Sequence, residues 1–136
     1  MAWVIDTSVI LDLLLPDSPW RTASAACLQK HLAEGLCICP VTFVELGPAF
    51  GGTPRIARAF FQAIPITTSE PWTIFDTEMA HRLWYEHQLH RRAFRIPKRP
   101  VADILIASFA ARFQGIITRN AADFRKIAPA LTIIEP

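Results

Sequence analysis

The sequence predicts a three-layer α/β/α domain with a mostly parallel central sheet of four to five strands. Short apolar runs typical of buried strands alternate along the chain with longer amphipathic stretches typical of helices. This alternation indicates βαβ crossovers, in which parallel strands lie between two layers of helices. The strand candidates are the segments 2–6, 36–40, 64–68, 115–119 and 131–135.

Helices are predicted between these strands from their start and stop residues. In the segment 17–35, Ser18 is placed to cap a helix, Pro19 suits its first position and Gly35 suits its end. A long amphipathic helix is predicted over 69–92, with Ser69 as its capping residue. The other helical segments are 9–15, 42–50, 54–63, 100–114 and 120–128.

Length and composition limit the possible classes of protein. A chain of 136 residues is expected to form a single domain over residues 1–136, large enough to bury roughly two-thirds of its unfolded surface. No apolar run reaches the length of about 18 residues that a membrane span needs, and no secretory signal precedes the first strand. A cytoplasmic protein without a membrane segment is expected. The odd number of cysteines (Cys27, Cys37 and Cys39) and their spacing favour buried free thiols over a zinc site.

The charged residues are distributed unevenly along the chain. The net charge is only +2, but residues 1–90 hold 5 basic and 9 acidic side chains, whereas residues 91–136 hold 9 basic and 3 acidic ones. Five of these basic residues lie close together within 91–99. Such a cluster suggests a phosphate-bearing partner, although a solvated helix end and loop would have the same composition. Its members are Arg91, Arg92, Arg95, Lys98 and Arg99.

Acidic side chains follow the predicted strands at positions that share one edge of the sheet. Asp6 ends the first strand, and Asn120 and Asp123 follow the strand at 115–119. Glu45 lies in the helix after the second strand, and Asp103 lies in the first turns of its own helix. Because functional crevices of open parallel sheets lie at the carboxyl ends of the strands, we expect one acidic pocket there.

Each of these acids also has a structural interpretation. Thr42 and Glu45 have the spacing of a capping box, and so do the Asn and Asp of 120–123. Asp6 is placed to cap the next helix, and Asp103 is placed to interact with a helix dipole. Their common edge nevertheless favours a cation site, since two carboxylates about 4 Å apart repel by roughly 4 kcal/mol at an effective dielectric of about 20. Oxygen ligands favour Mg²⁺ or Mn²⁺ over zinc.

Four segments resemble the motifs of the PIN-domain ribonucleases, especially the VapC-type toxins of bacterial toxin–antitoxin pairs. They occur in the family's order and cover nearly the whole chain: "VIDTSVI", "VTFVELG", "ADILIASFA" and "IITRNAADF". The resemblance implies a PIN fold in which acidic residues bind one or two divalent cations, Mg²⁺ or Mn²⁺, and support hydrolysis of RNA.

The resemblance assigns a role to each matching residue. The catalytic and metal-binding residues would be Asp6, Glu45, Asp103 and Asp123, supported by Ser8, Thr118 and Asn120. Relatives often carry an acid directly after Thr-Arg, where this chain has Asn120, and Asp123 matches the acid three residues later. The number of metal ions is therefore left open. The basic residues of 91–99 would hold RNA phosphates.

The resemblance also implies protein partners. A homodimer is expected, with Trp72, Phe75 and Trp84 as surplus apolar surface for its interface. A VapB-like antitoxin is expected to keep the nuclease inactive, with its C-terminal segment bound in the apolar groove between helices and an arginine or lysine placed on the acidic pocket.

Three other classes compete with this interpretation. A haloacid-dehalogenase-like phosphohydrolase would need a second acid where Ser8 stands. A receiver-like phosphoacceptor domain would need paired acids and a late lysine at a strand end, and neither stands out. A non-catalytic RNA-binding or scaffold domain of the same fold is disfavoured because Asp6, Glu45 and Asp103 are all present.

Overall fold

A parallel four-stranded sheet forms the centre of the protein, as the sequence predicts. The structure is a computed structural model that describes residues 1–94 and 100–136, while the side chains of 91–94 fall outside that description. The strands are β1 (Trp3–Ile5), β2 (Leu36–Cys37), β3 (Gly115–Ile117) and β4 (Ile133–Ile134). Their spatial order is β2-β1-β3-β4, and every described pairing is parallel.

Helices cover both faces of this sheet. They are α1 (Thr7–Leu14), α2 (Arg21–His31), α3 (Pro40–Glu45), α4 (Pro54–Ala63), α5 (Ile74–Phe94), α6 (Val101–Ala110) and α7 (Ala121–Ile127). Two short 3₁₀ turns, Leu32–Glu34 and Pro48–Phe50, complete the described elements. None of the helices within the described ranges is both long and apolar enough to cross a membrane.

Alternate strand residues contact the two helical layers. Val4 and Ile116 belong to a buried cluster with α5, α6 and α7. Ile5 and Ile117 belong to a second cluster with α1, α2 and α4. Because successive side chains of a strand point to opposite faces, this division gives the three-layer α/β/α architecture that the sequence predicts.

The third predicted strand, 64–68, is reduced to a single bridge beside β2. Thr67 pairs with Cys37, and the Thr67 amide donates to the Leu36 carbonyl at 2.9 Å. Pro65 lies within this segment and has no N–H to continue the ladder, which limits the segment to a short edge contact.

Two predicted helix caps are wrong. Helix α2 begins at Arg21, and the Ser18 hydroxyl instead accepts a hydrogen bond from the Trp20 amide at 3.2 Å. Helix α5 begins after Thr73 rather than Ser69, because Thr73 and Asp76 form the reciprocal hydrogen bonds of a capping box, at 2.9 and 3.3 Å. Ser69 has no acid three residues later to complete such a box.

The cysteines are free thiols, as predicted. Cys37 and Cys39 are buried, and Cys27 is partly buried. Burial raises the pKa of Cys37 to about 12 and the pKa of Cys39 to about 11, and it also raises the pKa of Cys27. The two buried thiols therefore stay protonated and unreactive near neutral pH.

The three aromatic residues predicted for a dimer interface have different environments. Trp72 packs against the core and stacks on Phe109, with 6.4 Å between the ring centroids. Trp84 also packs against the core, but both tryptophans are partly exposed, so their place in an interface stays a prediction. Phe75 is 48% exposed.

A buried ion pair joins the start of α5 to the end of α6. Asp76 is fully buried, and both of its carboxylate oxygens accept hydrogen bonds from the Arg112 guanidinium, at 2.7 and 3.0 Å. Arg112 also donates to the Pro71 carbonyl and lies 4.8 Å from the centre of the Phe109 ring. Its pKa is raised, first of all by the hydrogen bond to Asp76. This pair fixes the helix that carries Asp103.

We expect Arg112→Met to lower the free energy of unfolding by about 3 kcal/mol, because the Asp76 carboxylate stays buried after its cationic partner is removed. Urea denaturation measures the loss. The matched control is Arg82→Met on the exposed face of α5, which should change stability by less than about 0.5 kcal/mol. Equal effects of the two variants would contradict the stabilising role of the pair.

Candidate active site

The candidate site lies at the carboxyl ends of β1 and β3. Ile5 pairs with Ile117, so Asp6 and Thr118, which directly follow the two strands, are neighbours at the same edge. The Asp6 amide donates to the Ile117 carbonyl at 3.0 Å. The chain runs from β1 to β2 on one side and places β3 on the other, so this edge is the topological switch point at which open α/β sheets bind ligands.

Asp6 is buried and is held by two hydroxyl groups. Only 3% of its surface is exposed, and Oδ2 accepts hydrogen bonds from Ser8 Oγ at 2.8 Å and Thr118 Oγ1 at 2.7 Å. Each hydroxyl accepts in turn from a backbone amide of the loop after β3, Ser8 from Arg119 at 3.4 Å and Thr118 from Asn120 at 2.9 Å. Oδ1 receives no hydrogen bond from the described residues.

The capping roles considered for these residues are not formed. Asp6 precedes α1 but makes no side-chain capping hydrogen bond, and neither does Asn120 before α7. Glu45 is the last residue of α3, whose capping position is Cys39, so the predicted capping box is wrong. Asp103 does lie in the first turn of α6, where the helix dipole favours an acid.

Glu45 is connected to the site through Thr7. The Thr7 hydroxyl donates to Glu45 Oε1 at 2.6 Å, and Thr7 directly follows Asp6 in the chain. Thr42 Oγ1 lies 3.2 Å from the same hydroxyl. Thr7 was not among the predicted site residues, although its place in the "DTS" stretch is a signal that could have identified it. The Glu45 side chain is exposed and has one oriented oxygen beside the buried acid.

The remaining acids lie at the first turns of their helices. Asp103 is partly exposed on α6, which packs against α3, the helix that carries Glu45. Asp123 is exposed on α7, and its amide donates to the Asn120 carbonyl at 3.1 Å. Within residues 1–94 and 100–136, no three Asp, Glu, His or Cys side chains lie close enough together to hold a metal ion. Hydrogen bonds connect Asp6 to the Ser8 and Thr118 hydroxyls and connect the Asn120 amide to Thr118. Glu45 is bonded to Thr7, the residue that follows Asp6.

The predicted RNA-binding side chains are outside the described part of the chain. They are Arg91, Arg92, Arg95, Lys98 and Arg99. Their role stays a prediction.

A further buried acid near the candidate site, Asp12, was not predicted from the sequence. It is 2% exposed and accepts hydrogen bonds from Ser18 at 3.0 Å, from Ser24 at 2.6 Å and from Arg119 Nε at 2.5 Å. The signal was available, because Asp12 interrupts an apolar helix as Asp6 interrupts an apolar strand. Asp12 uses both oxygens and has a cationic partner, whereas Asp6 is held on one oxygen by hydroxyl groups.

Solved structures share this fold over nearly their whole length, although no family model and no curated protein matches the sequence. FitAB bound to an IR36 DNA fragment matches with a TM-score of 0.71 at 17% identity, covering 100% of this chain and 95% of that chain. VapBC2 from Rickettsia felis bound to a DNA fragment from their promoter gives 0.68 and 16%, covering 100% and 99%. VapBC-1 from nontypeable Haemophilus influenzae gives 0.66 and 19%, covering 99% and 98%.

The chain has a PIN-domain fold. The neighbours are VapBC and FitAB structures, so the predicted resemblance to VapC-type proteins is confirmed at the level of the fold. Within this PIN fold, the motif containing Asp6 and the motif containing Thr118 follow adjacent strands.

The donor chemistry of the PIN-fold site suits a hard divalent cation. Carboxylate oxygens are the ligands that Mg²⁺ prefers, and Asp6 Oδ1 is not used by any hydrogen bond from the described residues. A buried carboxylate without a cationic partner is unfavourable, so a bound cation would relieve that cost. Asp12 does not fit such a role, because Arg119 already supplies its positive charge.

Replacing Asp6 or Asp12 by the neutral residue asparagine is expected to have different effects on the free energy of unfolding. Without divalent cations, Asp6→Asn should leave stability unchanged or raise it by about 1 kcal/mol, because functional carboxylates are often held at a cost to stability. Asp12→Asn should lower stability by about 3 kcal/mol, because it leaves the Arg119 guanidinium without its anion. Urea denaturation in EDTA compares them. A large loss in Asp6→Asn would show that this carboxylate is structural.

Proposed function

We propose that this protein is a divalent-metal-dependent endoribonuclease that acts in the cytoplasm as the toxin of a VapBC-type toxin–antitoxin pair. The observation that carries the proposal is the buried Asp6 carboxylate at the switch point of the sheet, held on one oxygen and without a cationic partner among the described residues. The PIN fold shared with VapBC and FitAB structures supports the class of protein.

Asp6, Glu45 and Asp103 would hold Mg²⁺ or Mn²⁺, with Asp123 completing the set from α7. When bound, the cation supplies a water of lowered pKa and offsets the charge that develops on the phosphate. The hydroxyls of Ser8 and Thr118 keep the Asp6 carboxylate in one orientation. Thr7 orients one oxygen of Glu45, which makes Glu45 a candidate to accept a proton from the attacking water.

RNA would reach the site along the basic segment 91–99, which immediately precedes α6 and Asp103 in the chain. Contacts from arginine and lysine to phosphates fix the orientation of a nucleic acid without reading its sequence. Asn120, exposed at the start of α7, would line the same edge of the pocket.

The nuclease proposal predicts that purified protein cleaves total cellular RNA at few sites in the presence of Mg²⁺, with the sites mapped by end sequencing. Cleavage should stop in EDTA, return when Mg²⁺ or Mn²⁺ is added in excess, and fall at least about 100-fold in Asp6→Asn. The matched control is Asp17→Asn, an exposed aspartate outside the site, which should cleave like the natural protein.

Cleavage that persists in EDTA or in Asp6→Asn would exclude the proposed metal site. Intact RNA under every condition, from folded protein free of antitoxin, would favour the second candidate, a non-catalytic RNA-binding domain. That candidate has one observation in its favour, since no three potential metal ligands are clustered within the described ranges.

We also propose an antitoxin partner of the VapB or FitA type and a homodimer. Helix α5 carries exposed apolar side chains that a small monomer has no need to expose. They are Ile74, Phe75, Tyr85 and Leu89.

We expect light scattering to give a mass of twice 15.3 kDa for the natural protein. The double variant Phe75→Glu/Leu89→Glu should shift this mass to that of one chain, because buried carboxylates would oppose association. Ile56→Glu on α4, which also replaces an exposed apolar residue, is the control and should stay dimeric. A single-chain mass for the natural protein would exclude the homodimer.

A further inference from the structure

We propose that Arg119 is a positioning residue, anchored by buried Asp12, that holds the loop after β3 so that its backbone amides orient the Asp6 carboxylate. The inference rests on the proposed function, because it assigns to Arg119 the preorganisation of the metal-binding acid. It concerns Arg119 and Asp12, to which the resemblance gives no role.

The anchor is a buried network that converges on one carboxylate. Asp12 Oδ2 accepts from Arg119 Nε at 2.5 Å and from Ser24 Oγ at 2.6 Å, while Oδ1 accepts from Ser18 Oγ at 3.0 Å. Asp12 lies in the middle of α1 and Ser24 lies on α2, so Arg119 is attached to two packed helices. Charge-assisted hydrogen bonds of this kind are stronger and geometrically more demanding than neutral ones.

The backbone of Arg119 transmits this constraint to Asp6. Its own amide donates to Ser8 Oγ, and the next amide, of Asn120, donates to Thr118 Oγ1. Each hydroxyl thereby accepts one hydrogen bond from the loop and donates its own proton to Asp6 Oδ2. Moving the loop by about 1 Å would break both amide–hydroxyl hydrogen bonds and free the carboxylate to rotate, because hydrogen bonds weaken steeply as their distance and angle depart from the ideal values.

The guanidinium of Arg119 is oriented toward the protein. Its side chain is 27% exposed, and its charge lies 5.3 Å from the centre of the Trp20 ring, which covers it on one side. The Trp20 amide is in turn bonded to Ser18, a member of the Asp12 network. A guanidinium that is paired with a buried acid and covered by an aromatic ring serves the fold of the loop rather than contact with a phosphate.

The affinity of Arg119→Gln for Mn²⁺ tests this role, because loss of the positive charge and loss of positioning change the affinity in opposite directions. Removing a positive charge near an acidic site should by itself tighten cation binding, whereas loss of positioning should weaken Mn²⁺ binding about 10-fold, the effect typical of outer-shell partners. Mn²⁺ affinity is measured by titration calorimetry. Arg125→Gln removes the same charge from an exposed position on α7 and should bind Mn²⁺ as tightly as the natural protein or slightly more tightly.

A second measurement is independent of metal and of RNA cleavage. In Arg119→Gln, the amides of residues 119 and 120 should exchange their hydrogens about 10-fold faster, because the loop no longer holds these amides against their hydroxyl acceptors. The Ile116 amide, bonded to the Thr132 carbonyl within the sheet, should exchange unchanged and reports on global stability. If Arg119→Gln does not fold, Asp12→Asn/Arg119→Gln removes both charges together and is measured in the same way.

Unchanged exchange at residues 119 and 120, or Mn²⁺ binding as tight as in the natural protein, would overturn the positioning role. Failure of the natural protein to bind Mn²⁺ would instead overturn the proposed metal site, and the exchange rates would still decide whether Arg119 orders the loop. Unchanged Mn²⁺ affinity together with weaker RNA binding would mean that Arg119 contacts the substrate, contrary to the proposal.

Discussion

The parallel pairing of β1 with β3 is the interaction on which the candidate site depends. It sets Ile5 beside Ile117, so the first residue after each strand, Asp6 and Thr118, meet at one edge of the sheet. A shift of one residue in this register would turn the side chains of a strand to the opposite face and would separate the two. The order β2-β1-β3-β4 then makes that edge a switch point, because the strands that follow β1 lie on both of its sides, and open α/β sheets bind ligands at such points.

Two aspartates close together in the chain show how burial alone does not define a role. Asp6 and Asp12 are almost equally buried, yet Asp12 has an arginine and two serines, whereas Asp6 has two hydroxyls on one oxygen. The fully satisfied acid ties α1, α2 and the loop after β3 together. The incompletely satisfied acid has one oxygen, Oδ1, that accepts no hydrogen bond from the described residues. The hydrogen-bond network of Asp12 and the candidate site around Asp6 are therefore adjacent, and Arg119 contacts both.

Several differences between the predicted and the observed structure lie at the ends of the helices. Thr73 rather than Ser69 caps α5, because the box needs an acid at the third following position, and only Thr73 has one. Glu45 had the spacing of a capping box but lies at the end of α3, where Thr7 from another helix binds it. Local spacing is shared by several arrangements, and contacts between distant segments choose among them. The same reason explains why Trp72 and Trp84, predicted for an interface, also pack against the core.

The sequence by itself determined the fold class, the order of strands and helices along the chain, and the acids that follow the strand ends, because hydrophobic periodicity and turn residues are local signals. Only the tertiary structure decided that two hydroxyls hold Asp6, that Thr7 binds Glu45 and that Arg119 is paired with Asp12. These contacts join residues from 2 to 112 positions apart in the chain, and the packing of the layers, rather than any local pattern, brings the distant ones together.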